Sequence, residues 1–259
     1  MKVDLENRVA LVTGAGRNIG RAIADALVAN GARVVYSDID LAEATAAARA
    51  SSGTAIHLDV ADRTEVDTVT SDILRQFGRI DILVNNAGVN TLAHRVPIDQ
   101  FPLEEWERIV RVDMTGLYLV SHAVAGAMRS QKYGRIVNIA SVAGLVPLRL
   151  QCAFAAAKAG VVNLTRAMAI ELGHLGITAN CVAPGSILTE GTKTLFYGEN
   201  SKFREGMSQL IAHIPAGRPG SPAEVAHAVA FLAAEEARYI NGAVLTVDGG
   251  WTAGYAREF

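Results

Sequence analysis

The sequence predicts an α/β fold in which a single domain holds one doubly wound, seven-stranded parallel sheet with helices on both faces. Three observations predict it. Short Val/Ile-rich runs alternate with longer amphipathic stretches along the chain. The short runs are almost continuously apolar, as strands covered on both faces must be. The chain has 259 residues, half of them hydrophobic and 19% charged, which suits one large core. Right-handed crossovers then leave few topologies.

Taken in order, Val9–Val12 is an apolar first strand that ends at a glycine-rich turn. Ile19–Ala29 follows as a helix. Arg33–Ser37 is the second strand and Leu41–Arg49 an alanine-rich helix. Ala55–Leu58 is the third strand, and Arg63–Phe77 follows as a helix. Ile80–Asn85 is the fourth strand, and Glu104–Arg129 reads as one long helix. Arg135–Ala140 is the fifth strand, followed by the helix Ala153–Leu172. Thr178–Ala183 is the sixth strand. Pro222–Ala233 is a helix with proline at its first position, and Ala243–Val247 is the last strand. Residues 191–216 break the alternation and hold Phe196, Tyr197 and Phe203. In such sheets ligands bind beyond the carboxyl ends of the strands, so this insertion is expected to be a substrate lid.

Composition narrows the function classes. The formal net charge is -2 without basic or acidic blocks, which argues against nucleic acid or an anionic membrane as the main partner. No apolar run approaches the ~20 residues needed to cross a bilayer. Met1–Glu6 has no signal-peptide character, and Cys152 and Cys181 have neither metal nor disulfide spacing. A cytoplasmic protein acting on a small molecule, without a metal, is expected.

The segment Thr13-Gly14-Ala15-Gly16-Arg17-Asn18-Ile19-Gly20 lies between the first strand and the first helix. A glycine-rich turn there lets backbone approach a pyrophosphate, and the helix N-terminus favours its charge. Asn18 stands where a glycine would be usual, and asparagine tolerates positive φ. Asp38 closes the second strand, followed by Ile39. A carboxylate there accepts hydrogen bonds from ribose hydroxyls and repels a 2′-phosphate, which favours NAD over NADP. Arg17 pulls the other way, unless it pairs with Asp38. Read as plain structure, Asp38 is a strand-end turn residue.

Further along, Ser141 closes the fifth strand, and Phe154 and Lys158 lie four residues apart on an alanine-rich helix. With the glycine-rich turn and Asp38, this ordered set strongly resembles the short-chain dehydrogenase/reductases, from Arg8 to Gly250. The resemblance implies a Rossmann-like nicotinamide-dinucleotide fold and hydride transfer between cofactor and substrate carbon. It implies that Asp59 and Val60 reach the adenine, and that Asn86, Ala87 and Gly88 brace the sheet and touch the adenosine side. Pro184, Gly185, Ile187 and Thr189 would hold the carboxamide. Ser141 would orient the substrate oxygen, and Lys158 the nicotinamide ribose. The family's relay asparagine is Asp113 here, which adds a buried charge near Lys158. Paired with Arg111 or another neighbour, Asp113 would instead be a structural acid.

The family's acid/base tyrosine is Phe154, which has no titratable group. Three accounts fit. Phe154 is an introduced replacement; or another group carries the proton, with Tyr197, Cys152, His94 and a water on Ser141 and Lys158 as candidates; or the chain binds NAD without catalysis. Asn90, His94, Arg149, Gln151 and Tyr197, with Ser141, are the expected substrate contacts. Their polarity suits a polyol, sugar, sugar acid or hydroxy acid, so an NAD-dependent alcohol dehydrogenase is the first reading. The alternative is a 3-oxoacyl-(acyl-carrier-protein) reductase, a branch of the family that usually takes NADPH. The helices Glu104–Arg129 and Ala153–Leu172 are apolar on more than one face, which with the family pattern implies a homotetramer.

Overall fold

The computed structural model describes residues 2–91, 93–189 and 211–254. Their strands form one parallel sheet in the order β3-β2-β1-β4-β5-β6-β7. The strands are β1 (Val9–Thr13), β2 (Arg33–Asp38), β3 (Thr54–His57), β4 (Ile82–Asn85), β5 (Gly134–Ile139), β6 (Ile177–Pro184) and β7 (Val244–Val247). Every residue of β1, β4, β5 and β6 is buried, as the unbroken apolar runs required. The order reverses direction at β1, between β2 and β4, and a crevice opens there beyond the carboxyl ends of the strands.

Helices cover both faces. They are α1 (Asn18–Ala29), α2 (Leu41–Ser51), α3 (Arg63–Phe77), α4 (Leu103–Val110), α5 (Leu117–Gln131), α6 (Cys152–Leu172) and α7 (Pro222–Ala233). Two cores result. One holds Leu11, Leu83, Ile136, Val124 and Val161 under α3, α5 and α6. The other holds Val12, Val84, Val137, Ile23 and Val225 under α1 and α7. Alternate residues of each strand point into opposite cores, which the period of a strand demands.

The single helix expected over Glu104–Arg129 is corrected. It is α4 and α5 joined by a wide π turn, Arg111–Gly116. A Cβ at Gly116 would lie 2.7 Å from Val60 Cγ2, so the chain passes close to the end of β3. Such π turns insert one residue and often mark functional sites. This one turns Asp113 fully inward.

A polar ladder fixes α6 against the sheet. Asn85 Nδ2 donates to Ser121 Oγ at 2.9 Å and to Asn138 Oδ1 at 2.8 Å. Asn138 Nδ2 donates to Thr165 Oγ1 at 2.9 Å, and that hydroxyl donates to Val161 O. β4, β5, α5 and α6 are thus tied inside the core. Among the described residues no helix is long and apolar enough to cross a membrane. The expected lid lies mostly outside the described residues, with Tyr197 among those not described.

Candidate active site

The crevice at β1 is about 380 Å³. Gly14, Arg17, Asn18, Ile19 and Gly20 form one wall, and Asp38, Ile39, Asp59 and Val60 another. Asn86, Ala87, Gly88 and Thr189 complete it, with Leu58, Val89 and Val112, which sequence reasoning missed.

The glycine-rich turn is built for close approach. Asn18 adopts φ 52°, the left-handed conformation its residue type tolerates. Gly14 has φ 63°, and a Cβ there would lie 2.9 Å from Ala87 Cα. A Cβ on Gly20 would lie 2.0 Å from Gly14 O, so only glycine lets the helix begin here. Thr13, also missed, is the keystone: its Oγ1 accepts the N–H groups of Asn86 and Ala87, each at 3.0 Å. Asn86 Nδ2 in turn donates to Thr13 O and Gly14 O. No side chain caps α1, and its first turn holds no acid. A pyrophosphate fits such a terminus.

Asp38 accepts the N–H of Gly16 at 2.9 Å and that of Asp40 at 3.0 Å. The alternative in which Arg17 pairs with Asp38 finds no support among the described ion pairs, and the Asp38 carboxylate is taken by backbone N–H groups. The carboxylate serves the turn instead and faces the crevice beside Ile39. Gly16 is packed on Asp38 and Glu43 and does not line the crevice. Of the expected carboxamide turn, Thr189 lines it. Pro184 ends β6, Gly185 donates to Val247 O, and Ile187 is buried in a bridge with Gly220.

Ser141, Phe154, Lys158 and Asp113 come from three elements: the end of β5, α6, which carries both Phe154 and Lys158, and the π turn. Ser141 follows β5; its Oγ accepts the N–H of Ala143 at 3.1 Å, which leaves its proton free to donate. Gly144 lies so close to α6 that a Cβ would be 2.6 Å from Lys158 O. Lys158 is 5% exposed; its Nζ donates to Ile139 O at 3.2 Å and lies 5.6 Å from the Phe154 ring centre. Asp113 is 1% exposed, and its Oδ1 accepts the N–H of Val89 at 2.6 Å.

The pairing of Asp113 with Arg111 is corrected. Asp113 Oδ2 lies 3.0 Å from Lys158 Nζ, a buried ion pair. The approach is off the hydrogen-bonding direction, so Oδ2 keeps an unused acceptor. Gly88 closes over the pair: a Cβ there would be 3.1 Å from Oδ2 and 3.2 Å from Nζ. The crevice and the ion pair therefore share one wall. Cys181, behind Lys158, has its thiol pushed up to about 11 by burial.

The expected substrate residues divide. Asn90 Nδ2 donates to Gln151 Oε1 at 3.0 Å, which ties the loop after β4 to the start of α6. His94 closes that loop on Thr91 Oγ1 and stands 3.9 Å from Glu105. Arg149 is exposed and borders a separate recess with Val96, Leu150 and Cys152. Arg95 is the arginine worth attention instead. It is half-buried, its Nε has no partner, and burial pushes its guanidinium pKa down.

The family model described as Enoyl-(Acyl carrier protein) reductase matches residues 14–252. The chain is 40% identical over 252 residues to the 3-oxoacyl-(acyl-carrier-protein) reductase of Escherichia coli strain K12, covering 96% of this chain and 98% of the relative. The crystal structure of levodione reductase superposes with a TM-score of 0.90 at 35% identity, over 96% of this chain and 99% of that one. That of a putative gluconate dehydrogenase from Agrobacterium tumefaciens does so with 0.91 at 32% identity, over 98% and 100%. The seven-stranded parallel sheet, the crevice at its switch point and these matches together place the chain in the short-chain dehydrogenase/reductase family of nicotinamide-dependent oxidoreductases.

Proposed function

We propose that the chain interconverts a ketone and a secondary alcohol, with a carbonyl substrate of the 3-oxoacyl type. The observation that carries this is the 40% identity to 3-oxoacyl reductases over nearly the full length of both chains. When bound, the nicotinamide supplies or accepts the hydride. The chain's own groups do the rest. Ser141 donates to the substrate oxygen, Lys158 holds the nicotinamide ribose, and Asp38 takes the adenosine ribose. Phe154 has no proton to give, so turnover is impaired by the ~10²–10⁴-fold that a lost acid/base group costs.

A second reading is an NAD-dependent dehydrogenase of a polyol, sugar, sugar acid or hydroxy acid. Asp38 favours it, because a carboxylate at that place opposes the 2′-phosphate of NADP. The half-buried, unpaired Arg95 favours an anionic substrate. Assay of the Phe154→Tyr variant decides between them. It is offered 3-oxoacyl thioesters with NADH and NADPH, and polyols, sugar acids and hydroxy acids with NAD and NADP. Turnover on the thioesters supports the first reading; turnover confined to the polyols and acids replaces it with the second. Silence on every substrate with NADH bound would mean a substrate outside this panel or a binding protein.

Assembly into a homotetramer is part of the proposal. Met114, Tyr118 and Ile170 leave an apolar outer surface on the π turn, α5 and α6.

A further inference from the structure

We infer that Arg95 is a specificity-determining residue of this site and binds an anionic group on the substrate, an inference that rests on the oxidoreductase reading above.

Among the described residues four arginines are not exposed: Arg8, Arg79, Arg95 and Arg135. Three of them face a carboxylate. Arg8 Nη1 stands 3.8 Å from Asp81 Oδ1, Arg79 Nη2 donates to Asp81 Oδ1 at 2.6 Å, and Arg135 Nη2 donates to Glu235 Oε2 at 3.1 Å. Arg95 faces none among the described residues, and its Nε is buried without an acceptor. Burial alone pushes its guanidinium pKa down, with no charged neighbour to offset the loss of water. A guanidinium held in that way destabilises the free protein, and a bound anion would remove the penalty.

The segment that carries Arg95 is pinned across the start of α6. Before Arg95, Asn90 Nδ2 donates to Gln151 Oε1, and His94 N donates to Thr91 Oγ1. After it, Val96 and Pro97 share a recess with Leu150 and Cys152. Phe154 and Lys158 follow on the same helix. Glu105, which faces this loop through His94, is already held by Arg108 at 2.7 Å. The loop thus fixes one unneutralised cation beside the helix that carries the reaction's residues.

A guanidinium offers a planar fork that matches a carboxylate or a phosphate with two parallel hydrogen bonds. Two substrate sources supply that anion: the carboxylate of a sugar acid or hydroxy acid, and a phosphate on the carrier of a 3-oxoacyl thioester. A neutral polyol supplies neither.

The test compares Arg95→Gln, Arg95→Lys and the parent, each with Phe154→Tyr, on two matched pairs. Gluconate and sorbitol differ by a carboxylate in place of a hydroxymethyl group and are offered with NAD. Acetoacetyl-coenzyme A carries phosphates that the acetoacetyl thioester of N-acetylcysteamine lacks, and both are offered with NADH and NADPH. Arg95→Gln should raise KM for the charged member of one pair at least about tenfold, and change KM for the neutral member and kcat for both by no more than about threefold. Arg95→Lys should recover only part of the loss, because it keeps the charge without the fork. A selective loss on gluconate identifies the carboxylate as the anion; one on the coenzyme A thioester identifies the phosphate. Equal losses within each pair, or none, overturn the inference. Melting supplies a readout that needs no turnover. In the chain with Phe154, Arg95→Gln should leave the melting temperature unchanged or raised, and acetate or inorganic phosphate should raise that of the NADH complex more in the parent than in Arg95→Gln. A lowered melting temperature, or equal anion shifts in both, would make Arg95 a structural residue and overturn the inference. If the tyrosine variant is silent on both pairs with NADH bound, the substrate classes of the oxidoreductase reading fail, while the anion shift still decides the role of Arg95.

Discussion

At the residue scale, three positions depart from the family pattern, Asn18, Asp113 and Phe154, and the first two are treated differently by the structure. Asn18 replaces a glycine without consequence, since asparagine takes the left-handed backbone the turn needs. That outcome was legible in the sequence because the constraint is local. Asp113 was legible, through the resemblance, as a buried charge near Lys158, but the geometry that turns it inward was not. Its partner is set by the π turn, and no periodicity announces a π turn. Thr13 was hidden for a similar reason: a threonine ending a strand looks ordinary until its hydroxyl is seen to hold two amides of the next loop. Asp38 carries a cofactor prediction. Asp38→Ser should raise the NADP/NAD ratio of kcat/KM by about tenfold or more, because it removes the charge that opposes the 2′-phosphate. It should also loosen the turn, which loses the Gly16 contact. Steady-state kinetics with both cofactors checks the first effect and thermal melting the second.

At the element scale, strands and helix faces followed from apolar periodicity, and the boundaries came within a few residues. The long-helix expectation failed because apolar spacing runs on through Arg111–Gly116, although the hydrogen bonding changes there. The glycine-rich turn is the least tolerant element. Gly20→Ala should abolish cofactor binding while leaving a folded chain, since its Cβ has no room against Gly14 O. Calorimetric titration with NADH, alongside circular dichroism, would show this. The start of α7 gives a stability prediction. Ser221 and Glu224 form a capping box, and Pro222 fills the first helical position. Ser221→Ala should cost about 1 kcal/mol. Glu224 is held down to about 2 by the Arg218 guanidinium, with help from Ser221. A carboxyl with a lowered folded-state pKa stabilises the fold above its unfolded value. That contribution is therefore intact at neutral pH and is lost as pH falls from about 4.5 toward 2. The melting difference between the wild-type chain and Glu224→Gln should shrink across that interval. A difference that stays constant there would show that the charge is not what holds the cap.

At the scale of the whole molecule, the sheet order brings Ser141, Lys158, Asp113 and the glycine-rich turn to the carboxyl ends of the central strands, although they are scattered over more than a hundred residues. Topology was readable because strand and helix alternation admits few arrangements. The buried polar ladder from Asn85 to Thr165 was not, since isolated Asn, Ser and Thr residues in apolar runs carry no signal of mutual contact. The apolar outer surface predicts a tetramer, and light scattering at micromolar concentration should return about four times the 27.3 kDa chain mass. A monomer would require Met114, Tyr118 and Ile170 to face water. Most at stake is the proposal that Phe154 occupies the acid/base position of this nicotinamide oxidoreductase. The most direct test compares the cofactor-coupled rate of the chain with that of Phe154→Tyr on the same substrate at neutral pH. The tyrosine variant should be faster by ~10²–10⁴-fold at similar KM. Equal rates would contradict it, because the chain would then have no missing group for tyrosine to restore.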